Sequence, residues 1–164
     1  MDFNFSEEQI MIRETVRDFA ERVIAPQAQE LDEKASFSYD ITRQMGELGL
    51  FGMCLPEKYG GQGLDTLSYI IAVEELARVD SSQAATLAAH NSLGIGPIYM
   101  FGTEEQKLKY LPPLCTGEAL WGFGLTEPDA GSDSRGTKTK ALKDGDEWVI
   151  NGSKIFITNG AADI

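Results

Sequence analysis

WGFGLTEPDAGSD, Trp121 to Asp133, divides the sequence into two parts with different grammars. Upstream, apolar residues recur every three or four positions, the spacing of a buried helix face. Downstream, glycine-containing turns bracket short runs, one of which alternates as a strand does. The stretch itself begins as an apolar run and stops in a turn. That turn carries three carboxylates (Glu127, Asp129, Asp133), two hydroxyls (Thr126, Ser132) and Gly131. Turn chemistry accounts for Pro128, Asp129 and Gly131, but not for a flanking pair of hydroxyls. N–H groups opened by a glycine turn bind anions, and hydroxyls add directional bonds. Carboxylates beside a phosphate repel it unless they point away, so the turn is not a simple phosphate nest. Two readings stand at this level: a ligand-contacting loop, and a structural turn as the default.

The upstream part reads as helices. Ser6 and Gln9 have capping-box spacing, and Ile12, Val16, Phe19 and Val23 follow at helical intervals. Pro26 interrupts the pattern, which predicts a kink or break there. A shorter helix is expected from Tyr39 to Leu48, stopping at Gly49. LPEKYGGQGLD is a loop by its proline and glycines. Asp65 then caps TLSYIIAVEELARV, where Leu67, Ile70, Ile71 and Leu76 form a wide apolar stripe. From about Ser82, small and mostly uncharged residues predict a helix buried on most sides. Thr103 and Gln106 form a second capping-box pair, and Pro112 with Pro113 is expected to end that helix.

From about Gly117 the signals are those of strands. KDGDE and INGSK are turn sequences that bracket WVI, and KIFIT alternates as a strand does. The chain therefore reads as α+β, with a helical domain over 1–117 and the start of a β domain over 118–164. The last strand runs to Ile164 without a partner, from which the sequence is expected to be a cut-short piece of a longer one.

Composition narrows the function. The 164 residues are 42% apolar, enough to fill a core. Net charge is −12, from 26 carboxylates against 14 Lys and Arg, which disfavours nucleic acid and anionic membrane surfaces. There is no apolar run of about 18 residues and no signal-peptide pattern at the start. The expectation is a soluble, cytoplasmic protein, or a mitochondrial-matrix one whose presequence has been removed. Cys54 and Cys115 lack metal-ligand spacing and read as reduced thiols, with no metal site. His90 stands alone and reads as structural. A Walker-type loop and a G-x-G-x-x-G after a strand are both absent.

FGLTEPDAGSD resembles the signature of the acyl-CoA dehydrogenase family, and NGSKIFITNG resembles that family's second signature at the expected distance. LPEKYGGQGLD, IIAVEELARVD, HNSLGIGPIYMFGTEEQKLKYLPPL and the opening MDFNFSEEQ fit the family in order, nearest its short-chain, butyryl-type members. The resemblance implies an N-terminal helical bundle followed by the first strands of an antiparallel, barrel-like β domain. It also implies FAD as cofactor, an acyl-CoA substrate oxidised to trans-2-enoyl-CoA, reoxidation by an electron-transferring flavoprotein, and a homo-oligomeric, usually tetrameric, parent.

Residue by residue, the resemblance assigns Phe123, Leu125 and Thr126 to the flavin ring, where donors stabilise charge arriving on the N1 and C2-oxygen side. Gly131 and Ser132 match positions along the ribityl and pyrophosphate part of FAD, with Ser132 also near the acyl-CoA. Phe156, Ile157 and Thr158 match the segment packed on the flavin's edge and face. Position 156 is Phe where many members have Trp, which keeps an aromatic face but loses an N–H, and 129 is Asp where many have Gly or Asn. Ala85, Thr86, Ala89 and Leu93 match acyl-pocket positions. The acidic residues of the turn are then expected to serve its own backbone and exposed rim.

The family's base is a glutamate on later helices, so no catalytic residue is assigned within 1–164, and Glu74 and Glu75 read as surface or paired charges. Two rivals remain: an oxygen-reactive flavin oxidase or monooxygenase of the same architecture, and a non-catalytic helical interaction module that keeps the signature as a packing turn.

Overall fold

A computed structural model describes residues 4–160. The first three and last four residues, where the opening of the family resemblance and the end of the expected last strand fall, lie outside them. Seven α-helices precede one β-hairpin among the described residues: α1 Glu7–Phe19, α2 Ala25–Glu33, α3 Tyr39–Glu47, α4 Thr66–Ala77, α5 Ser81–Ala89, α6 Gly96–Phe101, α7 Glu104–Thr116, β1 Lys140–Asp144 and β2 Glu147–Asn151.

The caps predicted from spacing form. Ser6 accepts from the Gln9 N–H while the Gln9 side chain accepts from the Ser6 N–H, and Thr103 and Gln106 do the same at α7. Asp65 caps α4 through the Ser68 N–H.

The chain stays helical through Pro26, without the break that is one of the two expectations there. Residues Ala20–Ile24 form a π-helical turn, in which the Ala25 N–H reaches back five residues to the Ala20 carbonyl, and Pro26 is the second residue of α2. Widening the turn ahead of the ring relieves the clash and lost bond that proline imposes on an α-helix. The device recurs: a π-turn at His90–Ile95 precedes α6, whose second residue is Pro97.

Pro112 and Pro113 do not end α7, which continues to Thr116 and stops at Gly117 in the left-handed conformation (φ 77°). The carbonyls deprived of partners belong to Leu108 and Lys109 at exposed positions, while Leu114 and Cys115 are buried and hold the last turn in place.

The apolar stripe of α4 is narrower than predicted. Ile71 and Leu76 are buried with Ser68, Ala72 and Glu75, whereas Leu67 and Ile70 are half exposed. Position in the helix, rather than hydrophobicity, selects the face that packs on α1 and α5. Glu75 enters this face because Arg17 of α1 meets both of its oxygens (2.7 and 2.9 Å) and Arg78 a second time at one of them (2.9 Å). The helix begins at Ser81, and its continuation is less buried than expected, with Ala85, Leu93, Met100 and Phe101 exposed.

Two cores result. One joins α1, α3, α4 and α5 around Val16, Ile24, Met45, Phe51, Leu76 and Leu87. The other joins Leu55 and Tyr59 to Ile95, Leu111 and Leu114. Beyond Gly117 the hairpin pairs Leu142 with Val149 and Lys143 with Trp148, turning at Gly145 (φ 59°). Every strand residue is exposed. KIFIT is not a strand: its backbone bonds are one from Ile155 N–H to the Thr126 carbonyl and a local turn bond from Gly160 N–H to the Ile157 carbonyl. Phe156 (φ 56°) and Asn159 (φ 64°) then turn the chain through the left-handed region, which alternation alone does not reveal.

Among the described residues no helix is long and apolar enough to cross a membrane. None of their His, Cys, Asp and Glu side chains gather in threes to hold a metal ion.

Candidate functional site

The two glycine-rich stretches at 121–133 and 151–160, far apart in sequence, lie side by side. Ile155 donates to the Thr126 carbonyl at 2.9 Å, and Lys154 Nζ donates to the Leu125 carbonyl at 2.9 Å. A Cβ on Gly122 would meet the Thr158 carbonyl oxygen at 2.8 Å, so glycine there permits the contact. Phe123 and Leu125 are 46% and 44% exposed, and Phe156 is 90% exposed on its left-handed residue. Three apolar side chains thus face outward around a seam whose carbonyls are already bonded. The Leu125 and Thr126 N–H groups have no acceptor among the described residues.

The turn beyond is built by Glu127, which is buried. Its backbone pairs with Ala130 in both directions, closing the turn over Pro128 and Asp129. Its carboxylate accepts from the N–H of Lys138 (2.6 Å), the N–H of Thr139 (2.9 Å) and Lys154 Nζ (2.9 Å). The Lys138 N–H foremost, then Thr139 and Lys154, hold this carboxyl down to about 2. Asp129 pairs with Lys138 at the rim (2.9 Å). The acidic residues therefore do serve the loop's backbone and rim, as expected for these two. Gly131 and Ser132 lie exposed at the end of the turn, and a Cβ on Gly131 would meet nothing within 4 Å. The backbone there is open to approach.

The helical candidates meet the same seam from the bundle side. Asn159 Nδ2 donates to the Thr86 carbonyl at 3.3 Å, tying α5 to the second stretch. Thr86 is buried, Ala89 partly buried, and Ala85 and Leu93 are exposed, so the four do not share one environment. Among the described residues no hydrogen bond joins them to Gly131 or Ser132.

Sequence reasoning missed two residues that assemble this region, Glu127 as a buried anchor and Lys154; His90, read as structural, is a third that holds it. His90 is fully buried; its Nε2–H donates to the Leu114 carbonyl (2.9 Å) and its Nδ1 accepts from the Trp121 N–H (3.2 Å), so the bundle holds the first residue of the glycine-rich run. Burial, opposed by the bond to Leu114, lowers the affinity of the ring for a second proton. The structural reading of His90 holds. Lys154 carried a signal in sequence: it is the one cation in the second stretch. Nothing local marks Glu127 as buried.

This arrangement is a candidate ligand wall at the junction of a helical bundle and a β segment, and comparison with other proteins gives the class of the chain. Residues 6–118 match the model of the acyl-CoA dehydrogenase N-terminal domain, and residues 122–164 that of the acyl-CoA dehydrogenase middle domain. The chain belongs to the acyl-CoA dehydrogenase family.

It is 53% identical to a probable acyl-CoA dehydrogenase of Bacillus subtilis and 51% identical to a short-chain specific acyl-CoA dehydrogenase of Clostridium acetobutylicum. In each case 98% of this chain covers 42% of the relative. Butyryl-CoA dehydrogenase of Megasphaera elsdenii superposes with a TM-score of 0.93 at 48% identity, over 99% of this chain and 43% of that one. A chain from a study of the electron-transferring flavoprotein of Acidaminococcus fermentans gives 0.95 at 52% identity, over 99% and 43%. An acyl-CoA dehydrogenase of Bacillus anthracis complexed with FAD gives 0.88 at 42% identity, over 96% and 28%. The chain thus spans less than half the length of the relatives it matches.

Proposed function

We propose that this chain forms part of the flavin and acyl-CoA site of a short-chain acyl-CoA dehydrogenase that converts an acyl-CoA thioester to trans-2-enoyl-CoA. The observation that carries the reading is the seam itself: the two family signatures are hydrogen-bonded side by side, with exposed apolar side chains and with the Leu125 and Thr126 N–H groups lacking an acceptor among the described residues. Those features fit FAD. The Leu125 and Thr126 N–H groups and the Thr126 hydroxyl are donors for the polar edge of the isoalloxazine, and Phe156 offers an aromatic face. The open backbone at Gly131 and the Ser132 hydroxyl suit the ribityl and pyrophosphate part. Bound FAD supplies the acceptor for the hydride leaving the acyl β-carbon.

The chain's own residues bind, orient and exclude water. Leu125 and Thr126 present donors already fixed in place, so little reorganisation is needed as charge develops opposite them. Phe123, Ile157 and Thr158 bound the same wall. Ala85, Thr86, Ala89 and Leu93 line the acyl side in this reading, with small residues leaving volume for the acyl group. By family resemblance, removal of the α-proton belongs to a glutamate on later helices of the family, and no residue of 1–164 is given that role. An electron-transferring flavoprotein as electron acceptor, and a homotetrameric parent, complete the proposal by family resemblance, and the match to a chain from an electron-transferring-flavoprotein study supports the first.

The test is the visible spectrum of the full-length protein and its bleaching by butyryl-CoA, followed by reoxidation with an electron-transferring flavoprotein. A yellow protein bleached by the thioester is expected. A colourless protein overturns the proposal, and fast reoxidation by oxygen alone replaces the dehydrogenase with an oxidase. Thr126→Ala is expected to weaken flavin retention by roughly 1–3 kcal/mol, the range for a buried hydrogen bond lost on one side. Equilibrium flavin titration of the apoprotein measures it.

A further inference from the structure

We propose that Lys154, seated on Glu127, is a positioning residue that clamps the Leu125–Thr126 backbone against Ile155–Phe156 and so sets the spacing of the wall that the proposed function assigns to flavin. Three consecutive residues of the first stretch are bonded to two consecutive residues of the second. Lys154 Nζ donates to the Leu125 carbonyl (2.9 Å), Ile155 N–H donates to the Thr126 carbonyl (2.9 Å), and Lys154 Nζ donates to Glu127 Oε1 (2.9 Å). The ammonium is a compact charge with three donors, two of them spent on this seam.

The contact is built rather than incidental. The Lys154 side chain is 27% exposed and that of Glu127 only 5%, and the other bonds of the carboxylate come from the Lys138 and Thr139 N–H groups on the strand side. Glu127 is thereby fixed to the β segment before Lys154 reaches it. The lysine stem crosses Gly124, where an added Cβ would lie 3.4 Å from Lys154 Cγ. On either side of the clamp stand the exposed side chains of Leu125 and Phe156. A free Leu125 carbonyl would let this backbone turn, moving the neighbouring Thr126 N–H relative to the Phe156 ring.

The experiment uses the full-length protein with Lys154→Ala, Lys154→Arg and Glu127→Gln. Amide exchange at Ile155 in the apo form reports the seam without flavin; the flavin dissociation constant and the fine structure of the flavin absorption band report the wall. For Lys154→Ala, Ile155 exchange is expected to accelerate and flavin affinity to fall about tenfold, the loss of one charge-assisted hydrogen bond. The absorption band should broaden while helical melting stays unchanged. Lys154→Arg, which keeps a donor for both acceptors, should recover more than half of the lost affinity on a logarithmic scale.

Wild-type values for all readouts in Lys154→Ala overturn the clamp. Faster Ile155 exchange with unchanged flavin affinity and spectrum overturns its role toward flavin. If Lys154→Ala does not fold, Glu127→Gln, which removes the charge and keeps one of the two acceptor oxygens, carries the same expectation and the same refutation. A wild-type protein that binds no flavin refutes the functional reading instead, and Ile155 exchange still decides the seam.

Discussion

At the scale of the residue, two buried titratable groups hold the ends of the candidate site. His90 is neutral in the fold, and its two ring nitrogens join Leu114 to Trp121. It also packs edge-on against Phe51, with centroids 4.8 Å apart. Its folded-state pKa lies below the ordinary 6.5. As pH falls through 6.5 the unfolded chain therefore takes up a proton that the folded chain refuses, and stability drops. Glu127 acts in a lower window. Its folded value of about 2 lies below the ordinary 4.5, so its contribution is complete above 4.5 and disappears as pH falls toward 2. Denaturant unfolding between pH 7 and pH 5 is expected to show a falling midpoint that flattens in His90→Gln. At pH 7, His90→Ala should lose about 2–3 kcal/mol, because the Leu114 carbonyl and Trp121 N–H are left unpaired in the interior.

At the scale of the element, close approach of backbones overrides propensity. Gly46 is the last residue but one of α3, where glycine costs at most about 1 kcal/mol against alanine. An added Cβ would overlap the Thr116 carbonyl oxygen at the end of α7. Gly46→Ala is therefore expected to destabilise by a net ~1–2 kcal/mol, since overpacking costs about 1–3 kcal/mol, despite the gain in helix propensity. Thermal or denaturant unfolding checks the sign, and a stabilised variant would show that α3 and α7 can part without loss. The two π-turns belong to this scale as well. Each precedes a helix whose second residue is proline, and the second carries His90 into the interior. Pro26 and Pro97 are visible in sequence; the widened turns that accommodate them are not, because they depend on which carbonyl each N–H reaches.

At the scale of the whole molecule, the helical bundle has its own cores while the hairpin lacks one. Leu142, Trp148 and Ile150 are each more than 60% exposed, and a lone two-stranded hairpin is marginal in water. In the 164-residue chain, the amides of α1 and α4 are expected to be protected from exchange while those of β1 and β2 exchange with little protection. Equal protection would mean that the hairpin is covered after all. The features legible in the sequence were local: caps at Ser6, Asp65 and Thr103, the end of the helical part near Gly117, and the turn at Gly145. Each depends on a few neighbouring residues and their spacing. The two signatures were legible for the same reason, as contiguous runs. Only the tertiary structure decided that α7 passes through Pro112 and Pro113, that KIFIT leaves the sheet, that Glu75 and Glu127 are buried, and that Lys154 joins the two signatures. Those outcomes rest on which distant groups can satisfy a buried charge or carbonyl, and the partners lie tens of residues away: 58 between Arg17 and Glu75, 27 between Glu127 and Lys154. A buried polar group is stable only where such a partner arrives, and its arrival is a property of the fold.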